Sequence, residues 1–386
     1  MNTNEYTIRP DDGSDFSTEV QQALDCGRTV RIHSGTYVVN TPLRLPSGAR
    51  IVADSDTVVV LGDAVCTDER DYLLSNANPE TGDTDIHVTG GVWDGNNRGN
   101  PRPEGGLFAD GYTGAMFHFE NVEGLRIDSL CMRNAEAYHL RITGTTRFHI
   151  ENISFDSDRV RPNNDGVHLG GNCHDGVIRG IRGLSFGVTN DDLVALNADD
   201  GLNRTEVRGM QGGPIRRVRI ERLRAEGVHC FVRLLSVFSP IEDVHIEDIE
   251  GTTRNTVINC DGCRRCRVQL FDPDSPPSAD GIGTLRNITI RSLRVGPATD
   301  GEHTESAGGE PLPLFRLESR CSNVVIEDVT RLDTGGDATC EPTFAVAYLP
   351  GTGVTVDNAA RTMQPGDVYR SWAEHIGRMT IDTPGL

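Results

Sequence analysis

Short stretches of one hydrophobic pattern recur along the chain. Residues 122–130 (VEGLRIDSL), 146–155 (TRFHIENISF), 174–184 (HDGVIRGIRGL), 215–227 (IRRVRIERLRAEG), 241–251 (IEDVHIEDIEG), 285–296 (LRNITIRSLRVG) and 321–332 (CSNVVIEDVTRL) share it. Each runs polar, apolar, polar, Ile or Val, two polar or turn residues, then apolar again. Alternation with period two is the mark of a strand, and the polar pair in the middle predicts one bend. Ile127 and Ile150 are 23 residues apart, and Ile220 and Ile246 are 26 apart. The wider gap from Ile246 to Ile290 leaves room for a loop or an extra turn.

Repeats of this length, rich in β-branched residues and without helical periodicity, predict an all-β parallel solenoid. An antiparallel sandwich would show hairpin turns at shorter, more even spacing. One helix is expected, over residues 16–27 (FSTEVQQALDCG). Phe16, Val20, Ala23 and Leu24 line one face there, and Gly27 ends it. Laid across the open end of the coil, such a helix blocks edge association. Residues 29–54 read as short strands split by Gly and Pro turns, and 97–113, 199–214, 271–283 and 297–312 read as loops. No linker divides the chain. Residues 1–386 are therefore taken as one domain, with 1–30 as N-terminal cap, 31–349 as coils and 350–386 as C-terminal cap or tail. Within the last segment VYRSWAEHIG reads as a short helix that caps the coil or joins subunits, so a homo-oligomer is left open.

Composition narrows the partners. The net charge is −20 over 386 residues, and all 37 basic residues are arginine. So acidic a chain is a poor partner for nucleic acid, whose phosphates need a basic surface. It is also a poor partner for a polyanion, unless arginines gather at the site. No apolar run approaches the ~20 residues of a membrane span. The start shows no basic end followed by an apolar stretch, so a cytoplasmic location is expected. Ten cysteines are then mostly small buried thiols. Cys260, Cys263 and Cys266 have C-x2-C-x2-C spacing, which suits zinc or an iron–sulfur cluster only with a fourth ligand. Packing or a local disulfide is the preferred reading, and no metal site is assigned.

Two turns carry bare aspartates at the mouths of strands: RPNNDGVHLGG (161–171) and TNDDLVALNADDG (189–201). One such turn is ordinary, because Asn, Asp and Gly favour turns. Two on neighbouring coils make a carboxylate cleft. Inverting glycoside hydrolysis wants carboxyls roughly 6.5–9.5 Å apart, and coils stacked about 4.8 Å apart can supply that distance. Crowded acids also raise at least one pKa, which keeps a proton donor charged with its proton. Asp191 and Asp192 would point to opposite faces of a regular strand, so a bend is required there. His229 and Arg233 are four residues apart and share a strand face, which makes Arg233 a candidate cation for substrate. Asp199 and Asp200 read as a solvated loop, and His139 and His174 as structural.

On these motifs the sequence resembles the pectin-lyase-like right-handed parallel β-helix superfamily, and within it glycoside hydrolase family 28, the polygalacturonases. TVRIHSGTYVVNTPLRLPSG looks like the superfamily's entry segment, and HVTGGVWDGN like its early G-x-[IVW]-D-G turn. NNDGVHL looks like N-T-D-G-x-[DN]-[IVL], NDDLVALN like G-D-D-C-[IV]-[AS]-[IL]-[NK], and EGVHCFVRLLS more loosely like the G-H-G segment. The resemblance implies an inverting glycosidase acting on a pectin-type or other polysaccharide fragment, without a cofactor. Asp191 would be the acid, and Asp165 and Asp192 would hold the water. Asn164, His168, His229 and Arg233 would bind substrate or support the site. Two departures stand out. The family's Arg-x-Lys is missing from the matching stretch NTVINC (255–260), and His168 stands where polygalacturonases carry a second aspartate.

Two other classes remain open. A lyase or epimerase on the same fold would use calcium held by Asp191, Asp192, Asn197, Asp199 and Asp200, with Arg233 as base. A non-catalytic carbohydrate-binding or spike-like solenoid would use the fold alone.

Overall fold

The computed structural model describes residues 4–10, 15–66, 72–108, 111–159, 161–199, 209, 211–260, 262, 283–298, 313–332, 343–347, 353–356, 359–362, 368–371 and 373–382. Parallel strands stack coil upon coil through most of them. One column runs Val88, Ile127, Ile150, Ile178, Ile220, Ile246, Ile290 and Ile326, each the register partner of the next. All of these are fully buried. The repeat seen in the sequence is thus the coil itself, with one β-branched side chain per turn stacked on its neighbour. Because Ile246 pairs directly with Ile290, the long gap between them is a loop within one coil and not an extra turn.

The coil bends twice where one bend was expected. A residue with positive φ opens the repeat and a second follows five residues later: Arg217 and Arg222, Asp243 and Asp248, Asn287 and Ser292, Asn323 and Asp328. This left-handed conformation turns the strand sharply, and Asn and Asp tolerate it best after Gly. The polar pair in each repeat is therefore a corner and not merely an exposed bend. Between corners the outward side chains form ion pairs from coil to coil. Glu151 meets Arg179, Arg179 approaches Glu221 at 3.9 Å, and Arg219 joins Glu221 to Glu247.

The helix Phe16–Asp25 starts at Asp15, whose carboxylate accepts from the Thr18 N–H at 2.9 Å. That N-cap satisfies a donor the helix cannot. Phe16, Val20, Ala23 and Leu24 are buried against the first coil, and Gly27 has φ +68° just past the end. At the other end the chain reverses. His375–Asp382 runs antiparallel to Arg320–Arg331, and Val368–Ser371 runs antiparallel to Phe344–Ala347. The expected helix over VYRSWAEHIG is thus two strands, because the last coil offers unpaired backbone that a returning strand satisfies. Trp372 lies outside the described residues. No helix among them is long and apolar enough to cross a membrane.

The corner geometry makes a stability prediction. Ser292 is exposed at φ +60°. Ser292→Gly should raise stability and Ser292→Val lower it by about 1–2 kcal/mol, the usual cost of a side chain in this region. Equilibrium denaturation of the two variants measures the difference.

Candidate active site

One face of the solenoid carries the candidate residues. Leu140–Thr143, Val167–Leu169, Asp192–Asn197 and the end of Ile215–Leu235 stack there in register. Their alternate residues, such as Leu140, Val167, Val194 and Val232, enter the core. The others face outward and form the column Arg141, His168, Ala195 and Arg233.

The pairing of Val167 with Val194, continued two residues back, sets Asp165 beside Asp192 on adjacent coils. The Gly166 N–H donates to the Asp192 carbonyl at 2.9 Å and the His139 N–H to that of Asp165 at 2.9 Å, which carries the ladder through both aspartates. Asp191 stands just outside the strand, in a bend. The required bend is there, and it turns both neighbouring carboxylates to one side. One oxygen from each of Asp165, Asp191 and Asp192 lies within 4.8 Å of the others. This is tighter than the 6.5–9.5 Å expected for an inverting pair. The side chains of adjacent coils converge here.

Four cationic or imidazole groups surround the acids. His168 Nδ1 is 2.6 Å from Asp165 Oδ2, and its ring stands edge-on to Tyr138 at 4.7 Å. His229 Nδ1 is 3.4 Å from Asp191 Oδ1, and its Nε2 is 2.5 Å from the Asn255 amide nitrogen. Arg233 Nη1 is 3.8 Å from Asp192 Oδ2. Arg141 lies beneath, its charge felt at Asp165. Burial pushes the Asp165 carboxyl well above the usual range, and the charges of Asp191 and Asp192 push the same way. At His229 burial works against the charged form. The hydrogen bond and charge of Asp191, with the charge of Asp192, outweigh it and raise the pKa.

Asn164 has a different place. Its amide donates to the carbonyls of Ala135 (3.3 Å) and Ala137 (2.7 Å), tying the Asp165 turn to the coil before it. It is a buried strut. His139 is another: fully buried and lowered to about 4 by burial, it places Nδ1 2.8 Å from the Asp165 carbonyl. His174 is on the surface with Asp175 and Arg217. Asp199, read as solvated, instead accepts the Phe238 N–H at 3.0 Å and that of Ser239. Asp200 lies outside the described residues. Among the described residues, the carboxylates of Asp165, Asp191 and Asp192 are the group near enough to share a cation. Cys260 is buried, while Cys263 and Cys266 lie outside the described residues.

Two arginines escaped the sequence reading. Arg141 sits mid-strand among apolar residues, where nothing local marks it. Arg254 immediately precedes the stretch 255–260 that reads as free of cations. Its guanidinium donates to the Gly227 carbonyl at 2.8 Å and to Asn190 Oδ1 at 2.5 Å, and its charge reaches His229. An arginine one residue before the stretch 255–260 was the available signal.

The cluster predicts a trade of stability for chemistry. A carboxyl whose folded pKa is raised binds its proton more tightly in the native state, so stability falls as pH rises above the ordinary carboxylate range. Asp165→Asn should abolish activity yet raise the melting temperature, with a gain that grows from acid to neutral pH. Thermal melts of both proteins across that range check the sign.

No family model matches the chain. It is 24% identical over 352 residues to YobO, a protein of Bacillus subtilis named as phage-related, covering 82% of this chain and 42% of YobO. It is 24% identical over 192 residues to an exopolygalacturonase (clone GBGE184) of Arabidopsis thaliana, covering 50% of this chain and 39% of that protein. The chain thus spans less than half the length of these curated relatives. Among solved structures, an endo-xylogalacturonan hydrolase from Aspergillus tubingensis superposes with TM-score 0.55 at 17% identity, covering 86% of each chain. An iota-carrageenase with bound iota-carrageenan fragments gives 0.55 at 14% identity over 76% of this chain and 73% of its own. The pre-mature gene product 12 of bacteriophage phi29 gives 0.57 at 16% identity over 84% and 40%. The chain has the right-handed parallel β-helix fold that these proteins share.

Proposed function

We propose that the protein is a glycoside hydrolase of the polygalacturonase type, acting on a pectin-type or other polysaccharide. The observation that carries this reading is the cluster of Asp165, Asp191 and Asp192, with oxygens within 4.8 Å of one another on one solenoid face. The fold shared with a xylogalacturonan hydrolase and a carrageenase supports it.

In the proposed reaction Asp191 delivers a proton to the glycosidic oxygen as the bond to the anomeric carbon breaks. It is the most exposed of the three acids and has His229 beside it. Asp192, next to Arg233, takes a proton from the attacking water. The proton gained by Asp192 and lost by Asp191 redistributes within the cluster. Burial, with the charges of Asp191 and Asp192, raises the proton affinity of Asp165. Arg233 is engaged with Asp192, so its expected role as a substrate cation passes to a supporting one.

A second reading, a solenoid of a phage particle, is favoured by the match to the phage-related protein over 82% of the chain. It is compatible with hydrolysis and becomes an alternative only if the carboxylates are inert.

The test is reducing-end release from polygalacturonate, iota-carrageenan and neutral galactan, with ultraviolet absorbance followed in the same samples. Release without absorbance is expected, together with a loss of about 10²–10⁴-fold in Asp191→Asn, the usual worth of a positioned general acid. Chelator should leave the rate unchanged. An absorbing unsaturated product, or loss of activity on chelation, would replace hydrolysis with a metal-assisted lyase.

A further inference from the structure

Of the three acids, Asp165 and Asp192 sit on the backbone ladder. The His139 N–H donates to the Asp165 carbonyl and the Gly166 N–H to that of Asp192. Asp191 lies one residue before its strand, in the bend. Its carbonyl accepts from the Thr189 hydroxyl at 3.1 Å, a bond inside the bend that ties it to neither neighbouring coil. A group that delivers a proton must nevertheless keep its place closely, because a shift of about 1 Å costs rate heavily.

The side chain just before it supplies the missing hold. Asn190 is half-buried, and its amide reaches both ways along the solenoid axis. Its Nδ2 donates to the Arg161 carbonyl at 3.1 Å, on the turn that carries Asp165. Its Oδ1 accepts from the Arg254 guanidinium at 2.5 Å. Arg254 belongs to Ile241–Cys260, two coils on, and crosses the coil between by donating to the Gly227 carbonyl at 2.8 Å.

Both ends of this bridge are anchored. The Arg161 guanidinium pairs with both oxygens of the buried Glu136. Glu136 also accepts from Arg102 at 2.7 Å, and Arg102 donates to the Pro162 carbonyl at 2.8 Å. At the other end, the residue after Arg254 is Asn255, whose amide nitrogen is 2.5 Å from His229 Nε2. Two consecutive residues of one strand thus reach the Asp191 bend and the imidazole beside it.

We infer that Asn190 is a positioning residue, whose amide sets Asp191 against Asp165 on one coil and against His229 on the next. This rests on the hydrolase reading above, in which Asp191 is the proton donor, and it names the group that holds the donor in place.

Asn190→Ala in the full chain tests this with two readouts. On whichever of polygalacturonate, iota-carrageenan or galactan the parent cleaves, kcat should fall about 10–10²-fold while KM changes less than about threefold. The second readout needs no activity: the titration of the His229 imidazole, followed by NMR. His229 is faced by Asp191 and Asp192, by Arg254 and by the Asn255 amide, and Asp191 raises its pKa against the effect of burial. With the bend released, the His229 pKa should fall below that of the parent. In an Asp191→Asn background the same change should move it much less, because the contact is already gone.

A folded Asn190→Ala protein with unchanged kcat, or with an unchanged His229 titration, overturns the assignment. So does a His229 shift as large in Asp191→Asn as in the parent, which would mean that Asn190 acts by another route. Should Asn190→Ala fail to fold, Asn190→Gln makes the same measurements with the same expected directions, since it keeps the amide but carries it one methylene further out. A parent silent on every substrate overturns the hydrolase reading, and the titration then decides by itself whether Asn190 holds Asp191.

Discussion

The rest of this structure depends on coil-to-coil backbone pairing in strict register. Each coil donates and accepts hydrogen bonds from its neighbours, and the column from Val88 to Ile326 holds the register by stacking one buried β-branched side chain on the next. A slip of one residue would turn every inward Ile out to solvent and every outward Arg into the core. The left-handed corners work to the same end. By bending the strand at two fixed places five residues apart, they keep each coil the same shape, so that equivalent residues lie above one another.

The acid cluster is a consequence of that register. Asp165 and Asp192 are 27 positions apart in sequence but occupy equivalent places on adjacent coils, and the ladder of backbone hydrogen bonds passes through both. Like charges at this distance are unfavourable, and nothing local in either turn would hold them together. The scaffold does so with buried struts. Asn164 and His139 bind backbone carbonyls rather than substrate, which fixes the turn on which Asp165 sits. Around the acids, His168, His229 and Arg233 each face a different carboxylate. The raised proton affinity of Asp165 is the remaining imbalance, and it is the property a general acid cluster needs.

The two families of polar side chains have opposite roles. On the corner-bearing face, half-exposed Arg side chains reach over more buried Glu side chains from coil to coil. On the face that carries the candidate site Arg141 and His118 are buried, and Arg141 donates to the Gly209 carbonyl, as a buried charge requires.

Much of this was legible in sequence for a physical reason. A solenoid repeats one local pattern, so the period-two alternation and its spacing expose the coil, the central Ile column and the cap helix Phe16–Asp25 without knowledge of contacts. The aspartate turns were also visible, because turn residues at strand mouths mark the edge of the coil. Other features were decided by neighbours distant in the chain. The strands after residue 350 form because the last coil leaves backbone unpaired, which overrides the helical look of VYRSWAEHIG. Asp199 is an acceptor for a loop 39 residues away, and Arg141 and Arg254 join the site through contacts no motif records. Sequence alone determined the coil and the residues at its mouth. Only the stacked structure decided how close the acids come and which charges oppose them, because those are distances between coils.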